Sequence, residues 1–166
     1  VMLSGETAVG KYPVQTVRTM AKIVAETESA LQYSNMLIDK SRQVTAHTDD
    51  AISFAACSIS HQLNASCIVA YTASGSTALR VSRCRPKAPI LALTPHASVA
   101  RRLILSWGVE PYVTNEPSNI DVMFNNAAQL ASKTGIAKTG DRVVITAGIP
   151  MGKQGSTNVV KVQPVE

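Results

Sequence analysis

Cys67-Ile68-Val69-Ala70-Tyr71-Thr72-Ala73-Ser74-Gly75-Ser76-Thr77-Ala78-Leu79-Arg80-Val81-Ser82-Arg83 runs from an apolar, β-favouring stretch through a hydroxyl-rich turn into a helix-like segment. Five residues of Cys67 to Tyr71 read as a strand, and Ala78 to Cys84 as the helix that follows. Gly75 frees the backbone at the turn, Thr72, Ser74, Ser76 and Thr77 carry hydroxyl donors, and the first N–H groups of a helix lack intrahelical partners. Two readings stay open on these residues alone. One is an ordinary Ser/Thr helix cap; the other is a cradle for an oxyanion, phosphate above all.

Outward from this stretch, helix and strand alternate. Upstream, Thr48-Asp49-Asp50 is a capping signal with acids in the first turn, and Ile52, Ala55, Ala56, Ile59 and Leu63 form the apolar stripe of a helix. Downstream, Pro86 and Pro89 end the helix after the turn. Ile90-Leu91-Ala92-Leu93 is uniformly apolar, as a strand covered on both faces should be. A helix is expected from about Ser98 to Trp107, closed by Gly108, then a weaker strand from Val109 to Thr114 interrupted by Pro111. Ile120, Met123, Phe124, Ala127, Leu130 and Ala131 mark another amphipathic helix, and Arg142 to Thr146 a fourth strand. Such alternation predicts a mostly parallel sheet with helices on both faces. Between the fourth strand and the alternating run Asn158 to Val165 no crossover helix fits, so the fifth strand is expected to run antiparallel, with Lys161 and Pro164 suiting an edge.

Ligands of open α/β sheets sit beyond the carboxyl ends of the strands, where strand order reverses. If strands one and four are neighbours, the Thr72–Thr77 turn faces Gly148-Ile149-Pro150-Met151-Gly152-Lys153-Gln154-Gly155. That glycine-rich loop offers N–H groups and one ammonium. It is not a P-loop: the spacing misses by one residue, and Gln154 stands where Ser or Thr is required. Two facing loops of this kind favour an anion pocket over a plain cap.

The chain is 166 residues long, 45% hydrophobic and 16% charged, enough for one domain with a sizeable core and with no apolar run of membrane-spanning length. It opens Val-Met-Leu-Ser-Gly-Glu, and reads as a piece of a longer polypeptide. Cys57, Cys67 and Cys84 form no C-x-x-C pair, and are read as reduced core or half-buried thiols of a cytoplasmic protein, with no metal site expected. The formal charge is +5, with Arg80, Arg83, Arg85 and Lys87 gathered together and Arg101 and Arg102 further on. A solvated face is the default for such a cluster. Nucleic acid is not expected as a partner, because stacking aromatics are scarce. His96 reads as a loop histidine without a partner carboxylate, and Trp107 as a helix-end packing residue.

The N-terminal part divides from the rest. Pro13 suits a first helical turn, and Val14, Val17, Met20, Ala21, Val24 and Leu31 give a helix with one apolar face. Residues 1–33 are therefore one segment, 34–47 a polar linker with room for one more helical turn, and 48–166 the α/β domain.

Met2-Leu3-Ser4-Gly5-Glu6-Thr7-Ala8 with Gly10-x-Tyr12-Pro13 resembles the signature that ends the catalytic barrel of pyruvate kinases. Thr72-x-Ser74-Gly75-x-Thr77-Ala78, Arg83-x-Arg85-Pro86-x-Ala88-Pro89-Ile90, Trp107-Gly108-Val109-x-Pro111, Gly140-Asp141-x-Val143-Val144 and Gly155-x-Thr157-Asn158 resemble that family's C-terminal domain, in the same order. The resemblance implies a three-layer α/β/α sandwich on a five-stranded mixed sheet of order 3-2-1-4-5, strand five antiparallel, preceded by the last helix of the barrel domain. It implies a parent enzyme that transfers phosphoryl from phosphoenolpyruvate to ADP with Mg²⁺ (or Mn²⁺) and K⁺, whose catalytic and metal-binding residues lie upstream. This chain alone is then inert, with no catalytic or metal residue and no cofactor of its own.

What the resemblance leaves to this chain is an effector site. Thr72, Ala73, Ser74, Gly75, Ser76 and Thr77 become the phosphate loop, and Gly152, Lys153, Gly155 and Thr157 the lid. Family members regulated by a bisphosphate bring an arginine from the helix before strand four, and Asn119 to Ser132 contains no Arg or Lys. The expected effector is accordingly a sugar monophosphate or AMP, or the enzyme is weakly regulated. The parent is expected to be a homotetramer, and this chain to dimerise through its last strand, without membrane or nucleic-acid partners. The alternative is a free-standing phosphometabolite-binding module of the same fold.

Overall fold

The computed structural model describes residues 2–150 and 156–166. The chain divides into two compact units, Val1–Gln32 and Tyr33–Glu166. The first holds a short helix α1 (Gly5–Ala8) and a longer α2 (Pro13–Ser29), with Pro13 in the first turn of α2 as expected. Neither helix buries a residue, and Val14, Val17 and Ile23 of α2 are exposed.

The second unit begins with α3 (Tyr33–Ser41), two and a half turns where the sequence suggests a linker with a single turn. Its one strong apolar anchor, Leu37, packs on the core below, and so short and polar a stretch shows no periodicity. Then come α4 (Thr48–Leu63), β1 (Cys67–Tyr71), α5 (Ser76–Arg83), β2 (Ile90–Thr94), α6 (Ala97–Leu103), β3 (Val109–Val113), α7 (Ile120–Lys133), β4 (Arg142–Gly148) and β5 (Thr157–Pro164). The strands form one sheet in the order β3-β2-β1-β4-β5. β1 pairs in parallel with β2 and β4, β2 with β3 in parallel, and β4 with β5 antiparallel.

Alternate residues of each central strand feed two cores. Cys67, Val69, Leu91, Leu93, Val143 and Ile145 meet Met123, Phe124 and Ala127 of α7 on one face. Ile68, Ala70, Ile90, Ala92 and Val144 meet Ala56 of α4, Val81 of α5 and Leu103 of α6 on the other. The result is the expected three-layer sandwich, with buried strands reading as continuous apolar runs for the reason given above.

Several boundaries differ from expectation: α5 begins at Ser76 rather than Ala78, inside the hydroxyl-rich turn, and β5 spans Thr157–Pro164 rather than 158–165. α6 stops at Leu103 rather than Trp107, leaving Ile104 and Leu105 exposed in a turn. β3 continues through Pro111, paired with Ala92, because an edge strand spares one side of its backbone from pairing. β4 reaches Gly148, two residues beyond Thr146, through an irregularity between Ala147 and Gly148 that turns the strand end toward the first loop. At the other edge Lys161 of β5 holds its Nζ 4.1 Å from the centre of the Phe124 ring. No helix among the described residues is long and apolar enough to cross a membrane.

Candidate functional site

β1 sits between β2 and β4, so the order of strands reverses beside it and the loop after β1 opens onto the reversal. In that loop Gly75 takes φ +94°, a left-handed conformation that glycine adopts without strain. A Cβ here would press at 3.3 Å on Cδ2 of Leu103 in α6. Gly75 therefore serves the turn and its packing on α6, and its α-carbon is not among the atoms that line the cavity described below. The Thr72 hydroxyl accepts from Gly75 N–H at 2.8 Å, and the Ser74 hydroxyl donates to that of Ser76 at 3.2 Å. Arg102 of α6 donates from Nη2 to the Ser74 carbonyl at 2.6 Å, pinning the loop from outside. The ladder of α5 begins with Leu79 N–H bonded to the Gly75 carbonyl, so the N–H groups of Ser76, Thr77 and Ala78 precede it at the positive end of the helix.

These groups border a cavity of about 70 Å³, room for several waters. Thr72, Ala73, Ser74, Ser76, Thr77 and Thr157 line it, five side chains from the first loop and one from β5. Thr157 opens β5, is buried, and its hydroxyl meets that of Thr77 at 2.7 Å. Gly152, Lys153 and Gly155 lie outside the described residues. The base of their loop is fixed by Asn158, whose amide accepts from Ile149 N–H at 2.9 Å and donates to the Ile149 carbonyl at 2.7 Å. Gly148 also leaves no room for a side chain, since a Cβ would collide with the backbone of Ser156.

Although the loops Thr94–His96 and Thr114–Ser118 follow strands at the ligand end of the sheet, the rest of the cavity wall comes from residues the sequence does not single out as site residues. Leu93 and Met123 make it apolar, and Asn115 and Glu116 of the loop after β3 give it a polar rim. Tyr71 lines it too, its hydroxyl donating to the Met123 carbonyl at 2.9 Å, with burial pushing its pKa up to about 12. The available signal was position for Tyr71, Leu93, Asn115 and Glu116, which end or follow a parallel strand at its carboxyl end, whereas Met123 comes from α7. Arg102 had no such signal, because only the packing of α6 beside the loop brings it there.

The basic cluster disperses into separate contacts. Arg80 pairs with Asp49 at 2.5 Å and Asp50 at 3.0 Å in the first turn of α4. Thr48 makes no side-chain cap, and the N-cap position belongs to His47. Hydrogen bonding from Thr45, then Arg80, holds the Asp50 carboxyl below the ordinary aspartate value. Arg85 lays its guanidinium 4.2 Å from the centre of the Trp107 ring, making that tryptophan a packing platform at the helix end. Among the described residues there is no group of three or more His, Cys, Asp and Glu side chains placed to hold a metal ion.

Comparison with known proteins agrees with this architecture. Residues 50–163 match the family model described as pyruvate kinase, alpha/beta domain. A pyruvate kinase of Clostridium acetobutylicum is 42% identical over 166 residues, all of this chain and 35% of that protein. One from Staphylococcus aureus is 41% identical over 165 residues, covering 99% of this chain and 28% of its own length. The fold superposes on Cryptosporidium parvum pyruvate kinase in complex with ADP with a TM-score of 0.83 and 32% identity, over all of this chain and 34% of that one. This chain thus spans about a third of the relatives it matches. By its sheet order, its matched residues and its relatives, the chain belongs to the pyruvate kinase family and carries that family's alpha/beta domain.

Proposed function

We propose that this chain is the C-terminal allosteric and oligomerisation part of a pyruvate kinase, and that its cavity binds a phosphorylated effector. The observation that carries this reading is that four hydroxyl residues, Thr72, Ser74, Ser76 and Thr77, line one cavity where α5 begins, at the β1–β4 reversal. A phosphate there accepts hydrogen bonds from Thr72, Ser74, Ser76 and Thr77 and faces the positive end of the helix. Lys153 and the glycines of its loop complete the lid. The parent transfers phosphoryl from phosphoenolpyruvate to ADP with Mg²⁺ (or Mn²⁺) and K⁺, in the cytoplasm. Its catalytic residues belong to the barrel upstream, so this chain is inert alone. An effector acts only insofar as it binds the active and inactive assemblies unequally.

Selectivity follows from what α7 lacks. α7 has no Arg, and its one Lys, Lys133, sits in its last turn, so a second phosphate has no bidentate cation on that helix. A sugar monophosphate or AMP is therefore favoured over a bisphosphate. Thermal-shift and calorimetric titration with inorganic phosphate, AMP, and sugar mono- and bisphosphates tests both points. Ligand at about 100 times its Kd adds about 2.7 kcal/mol of apparent stability, and bisphosphates are expected to gain nothing over monophosphates. Ser74→Ala with Thr77→Val should abolish the shift. If no phosphorylated compound raises the melting temperature at millimolar concentration, the reading fails.

A further inference from the structure

Outside the effector cavity, the facing helices α4 and α5 hold two thiols together. Cys57 is buried on α4 and donates from Sγ to the Val81 carbonyl at 3.7 Å. Cys84, at the C-cap of α5, donates to the carbonyl of the neighbouring Arg80 at 3.6 Å. Two sulfurs reaching consecutive carbonyls of the same helical turn are brought close together. They differ in access. Cys57 is buried, whereas Cys84 is half-buried and lines a small cavity of about 40 Å³ together with Lys40 of α3, Asp50 of α4, and Arg80 and Arg83 of α5. Arg80 is neutralised by Asp49 and Asp50, which leaves Lys40 and Arg83 as the charges that favour an anion there. Cys67, the third thiol, is buried in the core on the other face of the sheet.

We propose that Cys84 and Cys57 form a redox dithiol, Cys84 attacking a low-molecular-weight disulfide and Cys57 resolving it. The ionised Cys84 Sγ attacks one sulfur of the disulfide, forming a mixed disulfide and releasing one thiolate, which takes up a proton from solvent. Cys57 then loses its proton to solvent and attacks Cys84 Sγ, forming the Cys57–Cys84 bond and expelling the second thiolate. Two protein thiols are oxidised and one small disulfide is reduced to two thiols. The hydrogen bond from Cys57, then the charges of Arg83 and Lys40, hold the Cys84 thiol below its ordinary pKa despite burial and Asp50. Its partner's thiol is pushed the opposite way, first by Cys84 and then by burial. The mixed disulfide removes the Cys84 charge, and with it a principal reason for Cys57 to keep its proton.

The test is incubation of the native protein with oxidised glutathione, followed by alkylation under denaturing conditions, intact mass and non-reduced peptide mapping. Expected are the loss of two hydrogens, a peptide joining Cys57 to Cys84, a free Cys67, and a melting temperature raised by about 4 °C or more and reversed by dithiothreitol. Cys57→Ser should accumulate a single glutathione adduct on Cys84, and Cys84→Ser should acquire none. A stable adduct on wild-type Cys84 without the cross-link, three thiols left unmodified, or a cross-link that includes Cys67 would each overturn the proposal. Mapping of the wild-type protein decides the matter even if a variant folds poorly.

Discussion

Thr77 and Thr157 show how one contact serves both fold and site. Each is buried, and their hydroxyls satisfy one another across the gap between α5 and β5. Thr77→Val leaves the Thr157 oxygen without this partner at a buried position, which costs about 1–3 kcal/mol. Replacing both threonines by valine removes donor and acceptor together, and the double variant should return to within about 1 kcal/mol of wild type. Urea denaturation of the two singles and the double closes this cycle; equal and additive losses would show that the hydroxyl pair is not what is being measured. The sequence displays both threonines, but places them in different roles, one as a phosphate donor and one as a lid. Their pairing depends on β4 and β5 meeting in register at Gly148 and Thr157, which no local pattern encodes.

At the scale of elements, the Arg80 clamp joins the first turn of α4 to α5. Both acids already favour a helix N-terminus by their charge. Their partner lies one turn beyond the Thr72–Thr77 loop, on the helix into which that loop leads. Arg80 and the two aspartates are largely but not fully withdrawn from water. Breaking the clamp by Arg80→Met should therefore cost about 1–2 kcal/mol, between the values for exposed and buried pairs. The pH dependence has a definite sign. Asp50 has a folded pKa below its unfolded value, so its contribution is complete above the ordinary aspartate value of about 3.9 and is lost as pH falls through the lowered one. Asp50→Asn should lower the melting temperature at pH 7 and flatten its fall on acidification. An unchanged acid limb would refute this. Strands and their helices were legible in the sequence because uniform apolar runs and 3.6-residue stripes are local signals. α3 was not, since its apolar residues Met36, Leu37 and Ile38 stand consecutively and make no 3.6-residue stripe. Thr48 was misread as a cap because Asp49 and Asp50 look like helpers of a cap when they are ligands of Arg80.

For the whole molecule, the two units carry very different shares of the burial. Every buried residue of both cores lies between Ala56 and Val165, and neither α1 nor α2 contributes one. Hydrophobic stabilisation scales with the apolar area withdrawn from water. A chain beginning at Tyr33 therefore keeps the core intact while losing the exposed Val14, Val17 and Ile23. Its melting temperature should lie within about 2 °C of the 166-residue chain, a difference below about 1 kcal/mol for a domain of this size. The same pair of proteins separates two routes to self-association. An apolar helix face without a buried residue can gather copies non-specifically, whereas β5 offers one unpaired backbone edge of the sheet. If the last strand is the dimer surface we propose, light scattering should find the dimer in both chains. Pro in place of Val160 or Val162, whichever directs its N–H outward, should then dissociate it, because proline removes a donor from the pairing edge. Dimers present only in the longer chain would move the contact to the α2 face, and monomers in both at high concentration would leave β5 as an ordinary edge.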